Sequence, residues 1–319
     1  MKPYQQIFVN LGSTPKKLRR MRFVDVKNDI AFRKIFGNEK KTSILLSFLN
    51  AVLQLEGKNR IEEVQIINPY LLPRVAGEKA SIIDIKAKDG KGQHFIIEMQ
   101  VADADGFDKR VQYYTCKDYA QQINRGEEYK LLKPTYFIGI LDFNFFEGKN
   151  YLSHHIIVDG ETYEHKLKDI QFTFIELKKF NKAAEELENL VEKWIFFIKN
   201  AENLKVIPEH VEDPGLEEAY NDAELFNWDK EALRAYDNAF IALQDARGRI
   251  TAAERKGMAK GMEQGMAKCM EQGIEQGKLE EKKKSIQKLY SIGMTVEEIA
   301  DFVELSVEQV QTIIHQLNL

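Results

Sequence analysis

The sequence predicts an α/β fold with a covered sheet, followed by an all-α C-terminal extension. Two apolar runs flank a glycine-containing turn at residues 89–92, and a third run lies at 134–146. Strands that are apolar on nearly both faces are typical of the centre of a covered sheet. Helical patterns dominate after residue 180. The chain ends with two capping boxes, each opening a short apolar helix, at Thr295-x-x-Glu298 and Ser306-x-x-Gln309.

A β-hairpin that carries two acids is the central prediction. Asp84 lies in the run SIIDIKAKD and Glu98 in FIIEMQ, with Gln100 two residues further on. Both runs alternate apolar and polar residues, so in extended conformation the polar side chains share one face. Asp84 can stand directly opposite Glu98 only if the connection has an odd number of residues, as in a turn at 90–92. The Cβ atoms of the two acids would then lie about 4.5 to 5.5 Å apart.

The chemistry of this acid pair indicates a metal site. Two ionised carboxylates so placed repel, which raises the pKa of one of them unless a cation lies between them. Oxygen ligands of this kind suit Mg²⁺ or Mn²⁺, which bind through one or two carboxylates and keep several waters. The alternative is a hairpin whose acids face solvent, which is common. Burial of the flanking isoleucines favours the metal, because a buried carboxylate is costly unless it is paired or metal-bound.

Two predicted helices flank the hairpin in the sequence. KNDIAFRKIFG at 27–37 is amphipathic, with Asp29 near its start, where the helix dipole alone favours an acid. The second helix, at 107–125, ends before Gly126. Some polar side chains could contact phosphate, although residues of these types more often lie in the core or in solvent. They are Lys86 in the hairpin and Arg110, Tyr113, Tyr114 and Lys117 in the second helix.

Four stretches within residues 22–180 together resemble the PD-(D/E)XK nuclease superfamily, and within it the recombination-promoting nuclease and transposase family. They are KNDIAFRKIFG, IIDIKAKD, FIIEMQ and RVQYYTCKDYAQQINRGEEY. The resemblance implies a restriction-endonuclease-like mixed central sheet flanked by helices. It also implies that Asp84 and Glu98 bind the metal, with the Met99 carbonyl as a further ligand. Asp29 belongs to the family motif, which implies a supporting role at the site.

Gln100 occupies the third position of the family signature, where the superfamily commonly has lysine. Glutamine is usual in this branch, and its amide can orient a water molecule but cannot carry charge. The resemblance implies a Mg²⁺- or Mn²⁺-dependent DNA endonuclease that hydrolyses phosphodiester bonds in recombination, transposition or defence against foreign DNA. The alternative is a non-catalytic DNA-binding or regulatory protein that keeps the fold. The same chemistry also permits RNA cleavage.

Composition is that of an ordinary soluble protein, with 319 residues, a formal net charge of -4 and two distant cysteines. No apolar stretch reaches the roughly 20 residues that span a bilayer, so we expect a cytoplasmic location and no membrane partner. Four segments are predicted: a nuclease-like domain at 22–180, an acidic helical region at 181–250, a glycine-repeat helix or linker at 251–284, and a helix-turn-helix-like module at 285–319. The acidic stretch at 183–231 has fourteen Asp or Glu against four Lys.

Small residues recur every four positions in the glycine-repeat segment. They are Gly257, Gly261, Gly265, Cys269, Gly273 and Gly277. Such a row permits close helix contact and a homo-oligomer seam, or it marks a weakly ordered linker, since glycine costs about 1 kcal/mol relative to alanine in a helix. The last predicted helix, 307–317, has no Lys or Arg. Because this helix lacks the basic residues that anchor phosphate, a role in assembly is at least as consistent with its sequence as recognition of DNA.

Overall fold

Six strands form one mixed sheet in the computed structural model, which describes residues 21–71, 81–209 and 211–317. The strands of the chain are β1 (Val64–Ile67), β2 (Tyr70–Leu71), β3 (Ser81–Ile82), β4 (Ile85–Asp89), β5 (His94–Gln100), β6 (Thr135–Leu141), β7 (Leu152–His155) and β8 (Ile170–Glu176). The large sheet has the order β1-β4-β5-β6-β8-β7, and β2 pairs with β3 separately. Strand β6 is parallel to both β5 and β8, whereas the other pairs are antiparallel. The predicted α/β class and mixed sheet are confirmed.

The turn between β4 and β5 has the predicted three residues, 90–92. The Asp89 N–H donates to the Gln93 carbonyl, and Asp89 Oδ1 accepts from the backbone N–H groups of Lys91 and Gln93 at 3.0 and 2.8 Å. Gly92 has φ of 80°, a left-handed conformation that favours glycine. Local turn chemistry therefore determines the register of the hairpin.

Helices cover both faces of the sheet. They are α1 (Asp29–Phe36), α2 (Thr42–Val52), α3 (Phe107–Gln121), α4 (Leu190–Asn200) and α5 (Pro214–Ala223). Ile85 and Ile97 belong to one core cluster, which also contains the buried faces of α1, α2, α4 and α5. Ile96 belongs to a second cluster with Phe107 and Val111 of α3. Successive residues of β5 thus contact different cores, as the period of two requires.

Helix α3 ends at Gln121, four residues before the predicted end. The Gln122 side chain donates to the Lys133 carbonyl at 3.0 Å and accepts from the Lys133 N–H at 2.8 Å. These long-range bonds fix the chain where it turns toward β6. A positive φ of 92° at Gly126 then belongs to the loop.

The chain divides into two compact units between Ile241 and Ala242. Helix α6 (Lys230–Ser291) begins in the first unit and continues into the second, which also contains α7 (Val296–Val303) and α8 (Val307–Gln316). Both predicted capping boxes are present at the starts of α7 and α8. Ile286 of α6, Ile299 of α7 and Val310 of α8 share a small core. No helix in the described ranges is both long and apolar enough to cross a membrane.

Candidate active site

The register of the hairpin brings Asp84 and Glu98 together. Ile85 pairs with Ile97, so the preceding position, Asp84, falls opposite Glu98. The Asp84 N–H donates to Glu98 Oε1 at 3.2 Å, and the Met99 N–H donates to Asp84 Oδ2 at 2.9 Å. The predicted juxtaposition of the two acids is therefore present, and each carboxylate accepts a bond from the backbone of the opposite strand.

Burial and the charge of Asp84 raise the pKa of two neighbouring acids, Glu98 and Asp29. The side chain of Asp84 and the whole of Glu98 are each only 9% exposed. Burial, followed by the charge of Asp84, raises the pKa of Glu98 to about 8. Burial and the same charge also raise the pKa of Asp29, which lies at the start of α1. Ionising all of these carboxylates would concentrate negative charge where water is scarce, and a cation would stabilise their ionised forms.

Arg33 of α1 supplies a positive charge at this point. Its Nε and Nη2 atoms donate to Asp84 Oδ1 at 3.2 and 2.7 Å, while its side chain stays 46% exposed. Arg33 lies one helical turn after Asp29, so both side chains project from the same side of α1. Arg33 is not among the residues that the sequence predicts at the site. Its four-residue spacing from Asp29 was the available signal.

Gln100 is held by two hydrogen bonds beside the acid pair. Its Nε2 donates to the Ala102 carbonyl at 2.8 Å, and its Oε1 accepts from Arg110 Nη2 at 2.8 Å. The positive charge of Arg110 also acts against the raised pKa of Glu98, for which burial is the largest cause. Arg110 is thus placed at the site through Gln100 and was expected only as a contact to phosphate.

Lys86 has neither of the two roles considered for it, phosphate contact or full solvation. Its ammonium forms an ion pair with Asp118 of α3, and the two side chains are 12% and 0% exposed. Asp118 Oδ2 is also 2.8 Å from His94 Nδ1 and accepts from Thr135 Oγ1 at 3.2 Å. Burial would raise the pKa of Asp118, but the hydrogen bond from His94 and the charge of Lys86 together lower it. This buried cluster ties α3 to the hairpin.

The oxygen atoms at the acid pair fit a hard divalent cation. An ionised carboxylate has about four acceptor positions, of which Asp84 uses three for the contacts described and Glu98 uses one. The N–H and C=O of one strand residue point to the same edge, so the Met99 carbonyl lies on the Asp84 side of β5. The N–H of Ile83 does not compete for it, because it donates to Pro69. Two carboxylates are enough for Mg²⁺, which keeps several waters.

No larger set of ligands is present in the parts of the chain that the structure describes, where no group of three or more His, Cys, Asp or Glu side chains could hold a metal ion. Asp29 therefore lies near the pair without joining a three-acid cluster.

Two of the α3 residues that could contact phosphate lie against each other on the helix. Tyr113 is 41% exposed, and the Lys117 ammonium lies 5.5 Å from the centre of its ring.

Comparison with known proteins gives a result at the family level. Residues 26–253 match the family model described as PD-(D/E)XK nuclease family transposase. No curated protein and no solved structure matches the chain. The matched range includes α1, the hairpin and α3, which carry the acids, Gln100 and both arginines of the candidate site. The chain therefore belongs to the PD-(D/E)XK nuclease family transposases.

Proposed function

We propose that this protein is a metal-dependent DNA endonuclease that hydrolyses phosphodiester bonds in recombination, transposition or defence against foreign DNA. The observation that carries the proposal is the buried pair of Asp84 and Glu98, which face each other across the hairpin, where burial and the charge of Asp84 raise the pKa of Glu98 to about 8. A fold alone does not determine activity, so the proposal depends on this pair. A cytoplasmic location stays a prediction.

Asp84, Glu98 and the Met99 carbonyl would hold Mg²⁺ or Mn²⁺ in the proposed enzyme. Bound there, the ion would lower the pKa of a coordinated water, polarise the phosphoryl oxygen and stabilise the leaving oxygen. Asp29 would support the site by adding negative charge beside Asp84. Burial of the pair excludes competing water and strengthens each electrostatic contact.

Gln100 would position the attacking water. Its Oε1 already accepts from Arg110, and an amide oxygen has a second lone pair that can accept from a water molecule. Because the bonds to Arg110 and Ala102 hold both ends of the amide, its rotation is restricted. Gln100 would thus orient water without removing its proton, and a solvent molecule or a phosphate oxygen would take that proton.

Cleavage assays on purified protein test the proposal. Supercoiled, linear and single-stranded DNA, together with RNA, are incubated with Mg²⁺, with Mn²⁺ or with EDTA. We expect metal-dependent nicking of DNA that Asp84→Asn abolishes while salt-sensitive DNA binding remains. Asp89→Asn is the matched control, because Asp89 lies at the other end of β4 and its Oδ1 acceptor is retained. A wild-type protein that cleaves no DNA with either metal would refute the endonuclease, and cleavage of RNA alone would change its substrate.

The second candidate is a non-catalytic DNA-binding or regulatory protein that keeps the nuclease fold. The Arg33 guanidinium on Asp84 favours it, since an internal cation can neutralise the acid without a metal. In that case the protein binds DNA in a salt-sensitive way, and neither Mg²⁺ nor Mn²⁺ changes its thermal stability. For either candidate, we also propose a second copy of the chain as a partner, through the C-terminal helices.

A further inference from the structure

A cavity of about 500 Å³ lies on the face of the sheet opposite to Glu98. Phe95 of β5 is aligned with Tyr136 of β6, and Tyr136 is aligned with Gln171 of β8, so these three side chains share one face. Phe95 and Glu98 are three residues apart on one strand, so their side chains point to opposite faces. The rise of about 3.3 Å per residue also separates them by roughly 10 Å along the strand. The cavity is therefore separate from the candidate active site.

Four strands supply the floor of this cavity, and residues 53–55 with Asn59, which follow α2, supply a wall. Thr173 of β8 pairs with His154 of β7, which extends the shared face to the edge strand. The floor residues are Gln93, Phe95, Tyr136, Gln171, Thr173 and His154. The site is thus built on the rigid sheet as well as on a loop.

The lining is rich in uncharged groups that both donate and accept hydrogen bonds. Side-chain amides are contributed by Gln54, Asn59, Gln93 and Gln171. Among the described residues no Asp or Glu side chain lines the cavity, although the chain has 50 acidic residues. Lys91, an exposed residue of the hairpin turn, is the single Lys or Arg in this described lining. Such a lining suits a neutral or anionic ligand better than a cation.

Several polar atoms of the floor keep hydrogen-bonding capacity. Gln93 Nε2 donates to Tyr136 Oη at 3.4 Å, and Gln171 Nε2 donates to the Lys168 carbonyl at 2.9 Å. Within the described ranges, neither of the two Oε1 atoms has a hydrogen-bond donor of its own. Burial is the largest cause of the raised pKa of Tyr136, so its hydroxyl keeps a proton that it can donate. The floor therefore offers acceptors and a donor side by side.

An aromatic surface lies beside these polar groups. The rings of Phe95 and Tyr136 are stacked, with centroids 5.4 Å apart and planes inclined by 13°. Phe95 covers one face of the Tyr136 ring, while Tyr136 stays partly exposed. His154 contacts Thr173 Oγ1 through Nδ1 at 3.0 Å, and burial lowers its pKa, so the neutral ring keeps Nε2 for a ligand. The floor thus combines a surface for a flat ring with groups that bond to the edge of that ring.

We propose that this cavity binds a nucleotide, with the base on the aromatic and amide floor and the phosphate at Lys91. Glutamine bonds to the donors and acceptors of base edges, and aromatic rings stack on the faces of bases. The ammonium of Lys91 supplies the charge that attracts phosphate. A volume of about 500 Å³ is within the range of small-ligand sites. The inference goes beyond the proposed nuclease activity and does not depend on it.

Calorimetry on the full-length chain in EDTA tests this proposal, with AMP, GMP, CMP and dTMP as probes. EDTA keeps divalent ions away from Asp84 and Glu98. We expect at least one of the four nucleotides to bind with a stoichiometry of one per chain, and Asp84→Asn to bind it equally. Ribose 5-phosphate should bind at least about tenfold more weakly, because it lacks the base that stacks and pairs.

Two variants with matched controls locate the base and the phosphate. Gln171→Leu should weaken nucleotide binding by about tenfold, because it removes an amide from the floor. Lys91→Gln should weaken nucleotide binding by up to about fivefold and leave binding of the matching nucleoside unchanged. Gln65→Leu and Lys88→Gln are the controls and should change neither affinity, because Gln65 pairs with Lys88 on the other face of the sheet. Thermal midpoints measured without ligand show whether each variant is folded.

Short single strands with a 5′-phosphate distinguish a free nucleotide from the unpaired end of a strand, since both present the same base and phosphate. Mononucleotide binding that Gln171→Leu weakens supports a site for free nucleotides. Binding of the single strand alone, weakened by the same variant, supports a site for a strand end. The proposal would be overturned by a wild-type chain that binds none of these probes, or by binding that Asp84→Asn abolishes. Equal affinity for ribose 5-phosphate would also overturn it, because the base would then not be recognised.

Discussion

Replacing Glu98 by glutamine should stabilise the metal-free protein while removing its metal site. The ordinary pKa of 4.5 is raised to about 8 in the folded protein, by burial and then by Asp84. The unfolded chain therefore releases the proton first, and the free energy of unfolding falls as pH rises from about 4.5 to about 8. Between the unfolded-state pKa of about 4.5 and pH 7 lie about two and a half pH units, and each lowers the free energy of unfolding by about 1.4 kcal/mol. Glu98→Gln should thus raise the free energy of unfolding by roughly 3.5 kcal/mol at most.

Chemical denaturation in EDTA at several pH values measures this effect. The variant should be more stable than the wild type at pH 7, and the two should converge below about pH 4.5, where Glu98 becomes protonated in both states. The glutamine keeps an oxygen that can accept from the Asp84 N–H, so packing is little changed. With Mg²⁺ or Mn²⁺ the difference in stability should narrow, because only the wild type gains stability by binding the ion.

Glu176 provides a matched control of opposite sign. It is 1% exposed, but its Oε2 lies 2.7 Å from Lys179 Nζ, and its Oε1 accepts from two backbone N–H groups. Glu176→Gln should destabilise the protein by about 3 to 5 kcal/mol, because it leaves a buried ammonium unpaired. A Glu98→Gln variant that is less stable than the wild type in EDTA at pH 7 would refute the reasoning about the acid pair.

Three further predictions concern the residues around the pair. Asp118→Asn should lower the free energy of unfolding by about 3 to 5 kcal/mol at neutral pH, because it leaves the buried Lys86 ammonium without its partner. Since the pKa of Asp118 is lowered in the folded protein, this loss should shrink as pH falls below the ordinary value of 3.8. A loss that is unchanged in acid would contradict the prediction. Gly92→Ala should lower the free energy of unfolding by about 1 to 2 kcal/mol in denaturant titrations, because φ of Gly92 is 80° and alanine disfavours this left-handed conformation. Gly92→Asn, which tolerates the conformation better, is the control and should cost less. Arg33→Gln should tighten Mn²⁺ binding by up to about fivefold, measured by calorimetry, because the partly exposed ion pair between Arg33 and Asp84 that competes with the ion is worth up to about 1 kcal/mol. Weaker binding by the variant would show instead that Arg33 supports the ion.

The sequence predicts the hairpin well because its determinants are local. A period of two and a turn of three residues are enough to place Asp84 opposite Glu98, and both can be read within twenty residues. The capping boxes of the last two helices are local in the same way. These are features in which the neighbouring residues decide the conformation.

The partners of these residues could not be predicted, because they come from distant parts of the chain. Arg33 reaches Asp84 across 51 positions of sequence, and only the packing of α1 against the sheet brings them together. The sequence alone predicts that Lys86 is a solvated strand lysine, but the packing of α3 brings Asp118 into an ion pair with it. The early end of α3 likewise depends on bonds from Gln122 to Lys133. Family membership and the mixed sheet are established, whereas the catalytic roles of the acids stay predictions.

The alternation of side chains along β5 limits the insertions and deletions that this strand can accept. Its residues alternate between a core that includes Ile97 and a face that presents Glu98, so one strand serves both packing and the candidate site. Substitution at either set affects one of them. A single inserted or deleted residue within 94–100 would instead exchange the two faces beyond that point. We therefore expect this segment to accept changes of residue type far more readily than any change of length.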